Sequence, residues 1–115
     1  ELLIVMELAD RNLHDVLCEY QQAGRPGIPR DVLFGYLDDA AVGLDHLIEK
    51  HNLQHLDVKP RNLFTVADRV KVADFGLVKQ LERSSSSGLM VGVTPICAAP
   101  ETFSNKVSRH SDQYS

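Results

Sequence analysis

Three short motifs in a fixed order constrain this chain more than any other feature of its sequence. The first is His-Leu-Asp-Val-Lys-Pro-Arg-Asn at residues 55–62, the second is Asp-Phe-Gly at 74–76, and the third is Ala-Pro-Glu at 99–101. In the first motif, Asp57 and Asn62 bracket a short loop that contains Lys59. A carboxylate, an ammonium group and an amide can therefore converge on one small volume, which suits a charged substrate.

The second motif adds a candidate metal ligand. Asp74 follows the apolar residues Val70, Val72 and Ala73, and Gly76 lets the backbone turn sharply where a strand would stop. A carboxylate at a strand end is a hard-oxygen ligand that suits Mg²⁺, because this ion takes one or two protein carboxylates together with phosphate oxygens and water. Asn62 can supply a neutral oxygen to a second ion.

On these motifs the chain resembles the middle of a eukaryotic-type serine/threonine protein kinase domain, over nearly its whole length. The resemblance implies an α+β fold that is present in part. It comprises the end of the last N-lobe strand and the hinge at 1–10, and the helices that this family calls αD and αE at 12–52. The catalytic loop follows at 53–66 and the activation segment at 74–101. The rest of the N-lobe and the distal C-lobe are not in the sequence.

The resemblance also implies roles for single residues. Asp57 resembles the catalytic base that accepts the proton of the substrate hydroxyl, and Lys59 resembles the residue that steadies the γ-phosphate of ATP. Asn62 and Asp74 resemble the two Mg²⁺ ligands. Glu101 resembles the acid that closes the activation segment by pairing with an arginine, which would lie beyond the end of this chain.

Four further residues resemble the nucleotide pocket of these kinases. Met6 matches the gatekeeper, and the backbone of Glu7 and Ala9 matches the part of the hinge that hydrogen-bonds the adenine edge. Phe64 matches the residue beneath the adenine. The alternatives are ordinary core filling for Met6, because Met is an adaptable apolar side chain, and plain hairpin core for Phe64.

The flanking sequence predicts elements that agree with this reading. The apolar run Leu2–Met6 predicts a buried strand, and Asn12 is a suitable N-cap for a helix that Gly24 would end. Apolar side chains recur at helical spacing from about 31 to 50, which predicts a long helix with a broad apolar face. Two short strands, 62–66 and 70–75, are predicted on either side of a turn at 67–69.

Two positions depart from the family pattern. Leu56 stands where many of these kinases carry the arginine that reads a phosphate on the activation loop. The chain therefore resembles a non-RD kinase, and phosphorylation of the serine run 84–87 is not expected to order the loop through this position. Cys97 replaces a bulky aromatic residue, and is either a small apolar residue or a reactive thiol.

Thr94 resembles the threonine that hydrogen-bonds the catalytic Asp and Lys.

Composition narrows the partners. The net charge of −4 argues against nucleic acid, which binds basic surfaces. No apolar run approaches the length of a membrane span, so no membrane contact is expected within this chain. Its two cysteines are far apart in sequence, and a disulfide is improbable, so a reducing, cytoplasmic location is expected. The five histidines form no convincing metal site.

The chain begins with Glu1 rather than Met, and it lacks a Gly-rich loop and the lysine of the third N-lobe strand. We therefore expect a fragment that is inactive by itself, from a parent that transfers the γ-phosphoryl group of ATP to Ser or Thr of proteins. The alternative is a pseudokinase or scaffold that binds nucleotide or partner proteins without catalysis. A third possibility is a small-molecule kinase of related fold, against which the intact motif at 99–101 argues.

Overall fold

The computed structural model describes residue 3, residues 5–73, the backbone of 79–80, and residues 94–104 and 106–115. Helices and small antiparallel sheets alternate along these residues, which confirms the α+β class. The elements are β1 (Arg11–Asn12), α1 (Leu13–Gln22), α2 (Arg30–His51), β2 (Leu53–Gln54), a 3₁₀ turn (Pro60–Asn62), β3 (Leu63–Val66), β4 (Arg69–Val72), β5 (Lys79–Gln80), α3 (Pro100–Phe103) and α4 (Ser111–Tyr114).

The larger sheet has the order β1-β3-β4 and is antiparallel throughout. Strands β3 and β4 form the predicted hairpin, with Val66 opposite Arg69. The two residues between them, Ala67 and Asp68, have φ angles of 48° and 59°. Positive φ at both positions is characteristic of the type I′ turn, whose backbone twist matches the twist of the flanking strands. A second sheet pairs β2 with β5.

Helix α1 begins and ends where the sequence predicts. The side chain of Asn12 accepts a hydrogen bond from the backbone N–H of Asp15 at 3.0 Å, which satisfies one of the free donors at the helix start. At the other end, Gly24 adopts a φ of 78°, a left-handed conformation that costs glycine little. The N-cap prediction is therefore confirmed.

Helix α2 spans 22 residues and contains the whole stretch predicted to be helical. It packs on β4 so closely that a Cβ atom added at Gly43 would lie 3.3 Å from Cγ2 of Val72. Glycine is unfavourable within a helix, but Gly43 permits α2 to approach the sheet closely. A core forms between α1, α2 and the hairpin from the buried side chains of Leu13, Val16, Ala40, Leu63 and Val70.

A polar contact fixes α2 to the hairpin at the edge of this core. Asp39 accepts hydrogen bonds from the guanidinium group of Arg69 and, at 2.9 Å, from the backbone N–H of Val70. These bonds and the positive charge of Arg69 hold the pKa of Asp39 below its usual value, against the opposing effect of burial. The carboxylate therefore ties the helix to the first two residues of β4.

The N-terminal segment differs from the expectation of a buried strand. Residues 3 and 5–9 belong to no sheet within the described residues, and the side chains of Leu3, Val5 and Met6 are largely exposed. A strand needs a hydrogen-bonding neighbour, and the described residues place none beside this segment. The apolar pattern is thus present without the pairing that would bury it. No helix in the described part of the chain has the length and hydropathy needed to cross a bilayer.

Candidate active site

Asp57 lies at the centre of the loop between β2 and the 3₁₀ turn, and only 7% of its surface is exposed. Three side chains contact its two carboxylate oxygens. Lys59 Nζ lies 2.8 Å from Oδ2, and Asn62 Nδ2 donates to the same oxygen at 3.0 Å. The hydroxyl of Thr94 donates to Oδ1 at 2.7 Å. The carboxylate is therefore fixed in orientation by contacts on both oxygens.

Thr94 closes a triangle with Lys59 and Asp57. Its hydroxyl accepts a hydrogen bond from Lys59 Nζ at 2.8 Å while it donates to Asp57. Because a hydroxyl has one donor and two acceptor sites, both bonds can form at once. The hydrogen bonds that the resemblance implies for Thr94 are confirmed, although this residue lies 37 positions after Asp57.

Asn62 is buried and uses its amide nitrogen to hold the loop. Nδ2 donates to the backbone carbonyl of Asp57 at 2.8 Å as well as to its carboxylate. Both partners are acceptors, so the nitrogen must be the atom that faces Asp57. These two bonds leave the amide oxygen as the remaining polar atom of the side chain, and an amide oxygen is a suitable ligand for a hard cation such as Mg²⁺. The chemistry of this donor fits the metal role inferred for Asn62.

Opposing effects act on the acidity of Asp57. Burial raises the pKa of its carboxyl group, because a charge is poorly solvated there. Hydrogen bonds from Lys59, Thr94 and Asn62, with the charge of Lys59, outweigh burial and leave the pKa below its usual value. Asp57 is therefore a carboxylate at neutral pH, in the protonation state that a general base requires.

A second buried carboxylate holds the loop from behind. Asp112, at the start of α4, accepts hydrogen bonds from the backbone N–H groups of His55 and Leu56, each at 2.7 Å. Leu56 has a φ of 64°, a left-handed conformation that is unfavourable for a side chain with a Cβ atom. The two bonds help to offset this strain.

His55 joins the loop to the end of the hairpin. Its Nε2 lies 2.8 Å from the carbonyl oxygen of Ala73, which can only accept, so Nε2 carries the proton and donates. Its Nδ1 then accepts the backbone N–H of Asp57 at 3.2 Å. The imidazole is fully buried and positions the residue that directly precedes Asp74 in the chain.

Glu101 lies in α3 and contacts α4. It accepts a hydrogen bond from the hydroxyl of Ser111 at 2.9 Å. Its pKa lies below the usual value because a backbone hydrogen bond and the hydroxyl of Ser111 favour the charged form. The arginine partner implied by the resemblance would lie outside this chain, so that pairing stays a prediction.

Of the residues inferred for nucleotide binding, Phe64 lies in the hairpin and Glu7 contacts the hairpin. Glu7 pairs with Lys71, whose Cα partner across the sheet is Phe64. The backbone N–H of Asp10 bonds to the carbonyl of Thr65 at 2.9 Å, which fixes the end of the segment on β3. Phe64 is half-buried, as is Ala9, whereas Met6 has 77% of its surface exposed. The structure thus brings Glu7 and Phe64 to one neighbour, Lys71, and leaves Met6 largely exposed among the described residues.

Asp74, Phe75 and Gly76 lie outside the described residues, as does the serine run 84–87. The inferred partnership of Asp74 with Asn62 therefore stays a prediction. Among the residues that are described, no group of three or more His, Cys, Asp or Glu side chains could hold a metal ion.

Sequence reasoning missed two supports of the site. One is the left-handed backbone at Leu56, because a leucine carries no signal for positive φ. The other is the buried side chain of Gln54, whose amide nitrogen donates to the carbonyl of Ser108. A polar residue just before the first motif was the available signal, but its partner lies 54 positions away.

Comparison with known proteins agrees with this geometry. A sequence model of the protein kinase domain matches residues 1–115. The chain is 41% identical to a probable protein kinase of Dictyostelium discoideum over 66% of its length, which covers 22% of that protein. It is 34% identical to the serine/threonine-protein kinase PLK4 of Drosophila virilis over 90% of its length, covering 13% of that protein.

A third relative is the serine/threonine-protein kinase nekl-2 of Caenorhabditis elegans, 28% identical over the whole chain. The chain spans 34% of nekl-2, and smaller shares of the other two proteins. The family match over every residue, together with the cluster of Asp57, Lys59, Asn62 and Thr94, shows that this chain belongs to the protein kinase domain family.

Proposed function

We propose that the protein containing this chain transfers the γ-phosphoryl group of ATP to serine or threonine hydroxyls of proteins. The observation that carries the proposal is the buried carboxylate of Asp57, oriented by Lys59, Asn62 and Thr94 within 3.0 Å. Relatives named as serine/threonine-protein kinases support the choice of acceptor. Because the chain spans about a third or less of those relatives, the activity is proposed for the whole protein.

In this proposal Asp57 accepts the proton of the substrate hydroxyl. Its lowered pKa keeps it ionised in the resting state, and the hydroxyl proton becomes acidic enough to transfer only as its oxygen bonds to phosphorus. Lys59 lies against Oδ2 and can turn its ammonium group to the transferred phosphoryl oxygens. Thr94 holds both groups, so the base and the cation stay in register.

Asn62 and Asp74 are proposed to hold Mg²⁺, which neutralises charge on the phosphate oxygens when it is bound. The amide of Asn62 is fixed by two hydrogen bonds from its nitrogen, so its oxygen is available in a defined direction. For ATP itself, we propose that the backbone of Glu7 and Ala9 binds the adenine edge, with Met6 as the gatekeeper residue and Phe64 beneath the ring.

The test is a phosphoryl-transfer assay on the full-length protein with Asp57→Asn. Removal of the base is expected to lower kcat by about 10²-fold to 10⁴-fold, while ATP binding stays within about threefold. Asp45→Asn is the matched control, because it makes the same chemical change at an exposed position on α2, outside the site. Asp74→Ala tests the metal role, and its activity loss should come with weaker Mg²⁺ dependence.

The alternative of a pseudokinase or scaffold has a distinct signature in the same assay. A wild-type protein that binds ATP and transfers no phosphate to any protein, with or without Mg²⁺, would contradict the proposed activity and favour that alternative. Equal rates for wild type and Asp57→Asn would contradict the role of the base alone.

We also propose that activity does not require phosphorylation of the serine run 84–87. The side chain of Leu56 is apolar, so it has no charge with which to bind a phosphate. Its backbone N–H is already held by Asp112. Phosphatase treatment should leave the wild-type rate unchanged, whereas Leu56→Arg should make it depend on loop phosphorylation. A wild-type protein that is inactive until the serines are phosphorylated would refute this part.

A further inference from the structure

Helix α1 carries a second cluster of reactive side chains, outside the group around Asp57. The Sγ atom of Cys18 lies 3.7 Å from Nδ1 of His14, one helical turn earlier. Both residues are half-buried, so part of each remains exposed to solvent. Residues four apart on a helix face the same way, and this pair therefore presents one surface to solvent.

Arg61, in the catalytic loop, adds to the cluster and determines the tautomer of the His14 imidazole. One nitrogen of its guanidinium group lies 3.4 Å from Nε2 of His14. A guanidinium group has only donors, so Nε2 must accept and the neutral ring carries its proton on Nδ1. That proton faces Cys18. The sulfur is therefore the acceptor of an N–H group that becomes a stronger partner as the sulfur gains negative charge.

The positive charge of Arg61 favours the binding of an anionic reagent at this cluster. Arg61 is exposed and forms no ion pair with any described residue, whereas Lys59, Arg69 and Lys71 all pair with acids. Asp15 is the opposing charge, since its carboxylate lies 3.8 Å from Nδ1 of His14, but it is half exposed and screened by solvent.

We propose that Cys18 is a modification site that forms a mixed disulfide with a small anionic disulfide, of which oxidised glutathione is the probe. Cys18 loses its proton to solvent, and the thiolate attacks one sulfur of the reagent. A new S–S bond forms as the old one breaks, and the departing thiolate takes a proton from solvent. Cys18 is oxidised, and the released thiol is reduced. His14 holds the attacking sulfur, and Arg61 attracts the reagent's carboxylates.

The position of the cluster gives the modification a consequence. Arg61 lies in the 3₁₀ turn directly before Asn62, so a bound anionic peptide at Cys18 would compete with His14 for Arg61 and stand beside the catalytic loop. This consequence rests on the proposed function: the adduct is expected to slow phosphoryl transfer to protein substrates, and reduction is expected to restore it.

The experiment measures adducts on the native full-length protein and needs no catalytic activity. The protein is treated with oxidised glutathione or with the uncharged 2-hydroxyethyl disulfide, and peptide mass spectrometry follows Cys18 and Cys97 together. Cys97 is the internal control, because it is also half-buried and its sulfur forms no hydrogen bond with a histidine among the described residues. With oxidised glutathione, Cys18 should react about tenfold faster than Cys97.

Two variants separate the contributions. His14→Gln should slow Cys18 by about fivefold with both reagents, because the N–H group facing the sulfur is lost. Arg61→Gln should slow it about threefold more with oxidised glutathione than with the neutral reagent, because the attraction for carboxylates is lost. If His14→Gln does not fold, the reagent comparison in Arg61→Gln decides.

Equal rates at Cys18 and Cys97 in the native protein would overturn the proposal, as would an unchanged rate in a folded His14→Gln protein or an equal loss with both reagents in Arg61→Gln. Adduct formation at Cys18 with no effect on an active enzyme would overturn only the consequence for catalysis. Adduct formation in a protein without transfer activity would uphold the site and count against the proposed function.

Discussion

Replacement of Asp112 by asparagine tests whether this buried carboxylate holds the catalytic loop. Each of its oxygens accepts one backbone N–H, from His55 and from Leu56, at 2.7 Å. Asparagine keeps one oxygen and puts an NH₂ donor where the other oxygen was. One backbone donor is then left facing a second donor, in a site where Asp112 is only 4% exposed.

The cost can be worked from these contacts. A hydrogen bond to a charged group contributes about 1.5–3 kcal/mol, and the substitution removes one bond and weakens the other by removing the charge. The strain of the left-handed conformation of Leu56 is the same in both proteins, so it does not add to this cost. A free energy of local opening that is lower by about 2 kcal/mol corresponds to an equilibrium constant for opening that is about 30-fold larger.

The assay is hydrogen exchange of the full-length protein, read by mass spectrometry on a peptide that contains His55 and Leu56. Exchange at this peptide should rise by about 30-fold in Asp112→Asn, while peptides from α1 keep their protection. Asp45→Asn, an exposed change on α2, serves as the control. Unchanged exchange at the loop would show that other contacts hold it, and the reasoning about Asp112 would be refuted.

Three further outcomes follow from contacts described above. Thr94→Val should lower kcat/KM about tenfold, because the hydroxyl that joins Asp57 to Lys59 is lost; a steady-state assay measures this, and an unchanged value would contradict it. Asp39 has a lowered pKa in the folded state, so it stabilises the fold above the ordinary carboxyl range of about 4 and loses this effect as the pH falls further; Asp39→Asn should therefore melt lower at pH 7 and show a shallower acid decline in thermal melts. Gly24→Ala should destabilise by about 1 kcal/mol in denaturant titration because of its positive φ, and no change would argue against that conformation.

Much of the fold was predictable because its signals are local. Asn12 caps a helix that starts one residue later, and the hairpin closes over a turn of two residues. The cluster of Asp57, Lys59 and Asn62 was also predictable, since five positions separate its ends and a tight loop must bring them together. In each case the sequence contains both partners within a few residues.

The features that were missed depend on partners far along the chain. The left-handed backbone of Leu56 is held by a bond from its N–H to Asp112, and the sequence around the leucine carries no signal for that conformation. Strand β2 is only two residues long and pairs with residues 25 and 27 positions later, so it is too short to show a periodic pattern in the sequence. The strand predicted at Leu2–Met6 had the right composition, but pairing and burial depend on neighbours and not on the run itself.

The contact between Asp112 and the catalytic loop also has a consequence for synthesis of the protein. The carboxylate lies 57 positions after His55, so the loop cannot take its final shape until more than fifty further residues have been made. During that interval the α1, α2 and hairpin core can already assemble from residues before 73, since all its members precede that point. The nascent chain would thus contain a folded core whose catalytic loop has not yet reached its final conformation. The loop would reach that conformation only after the four residues of α4 are made.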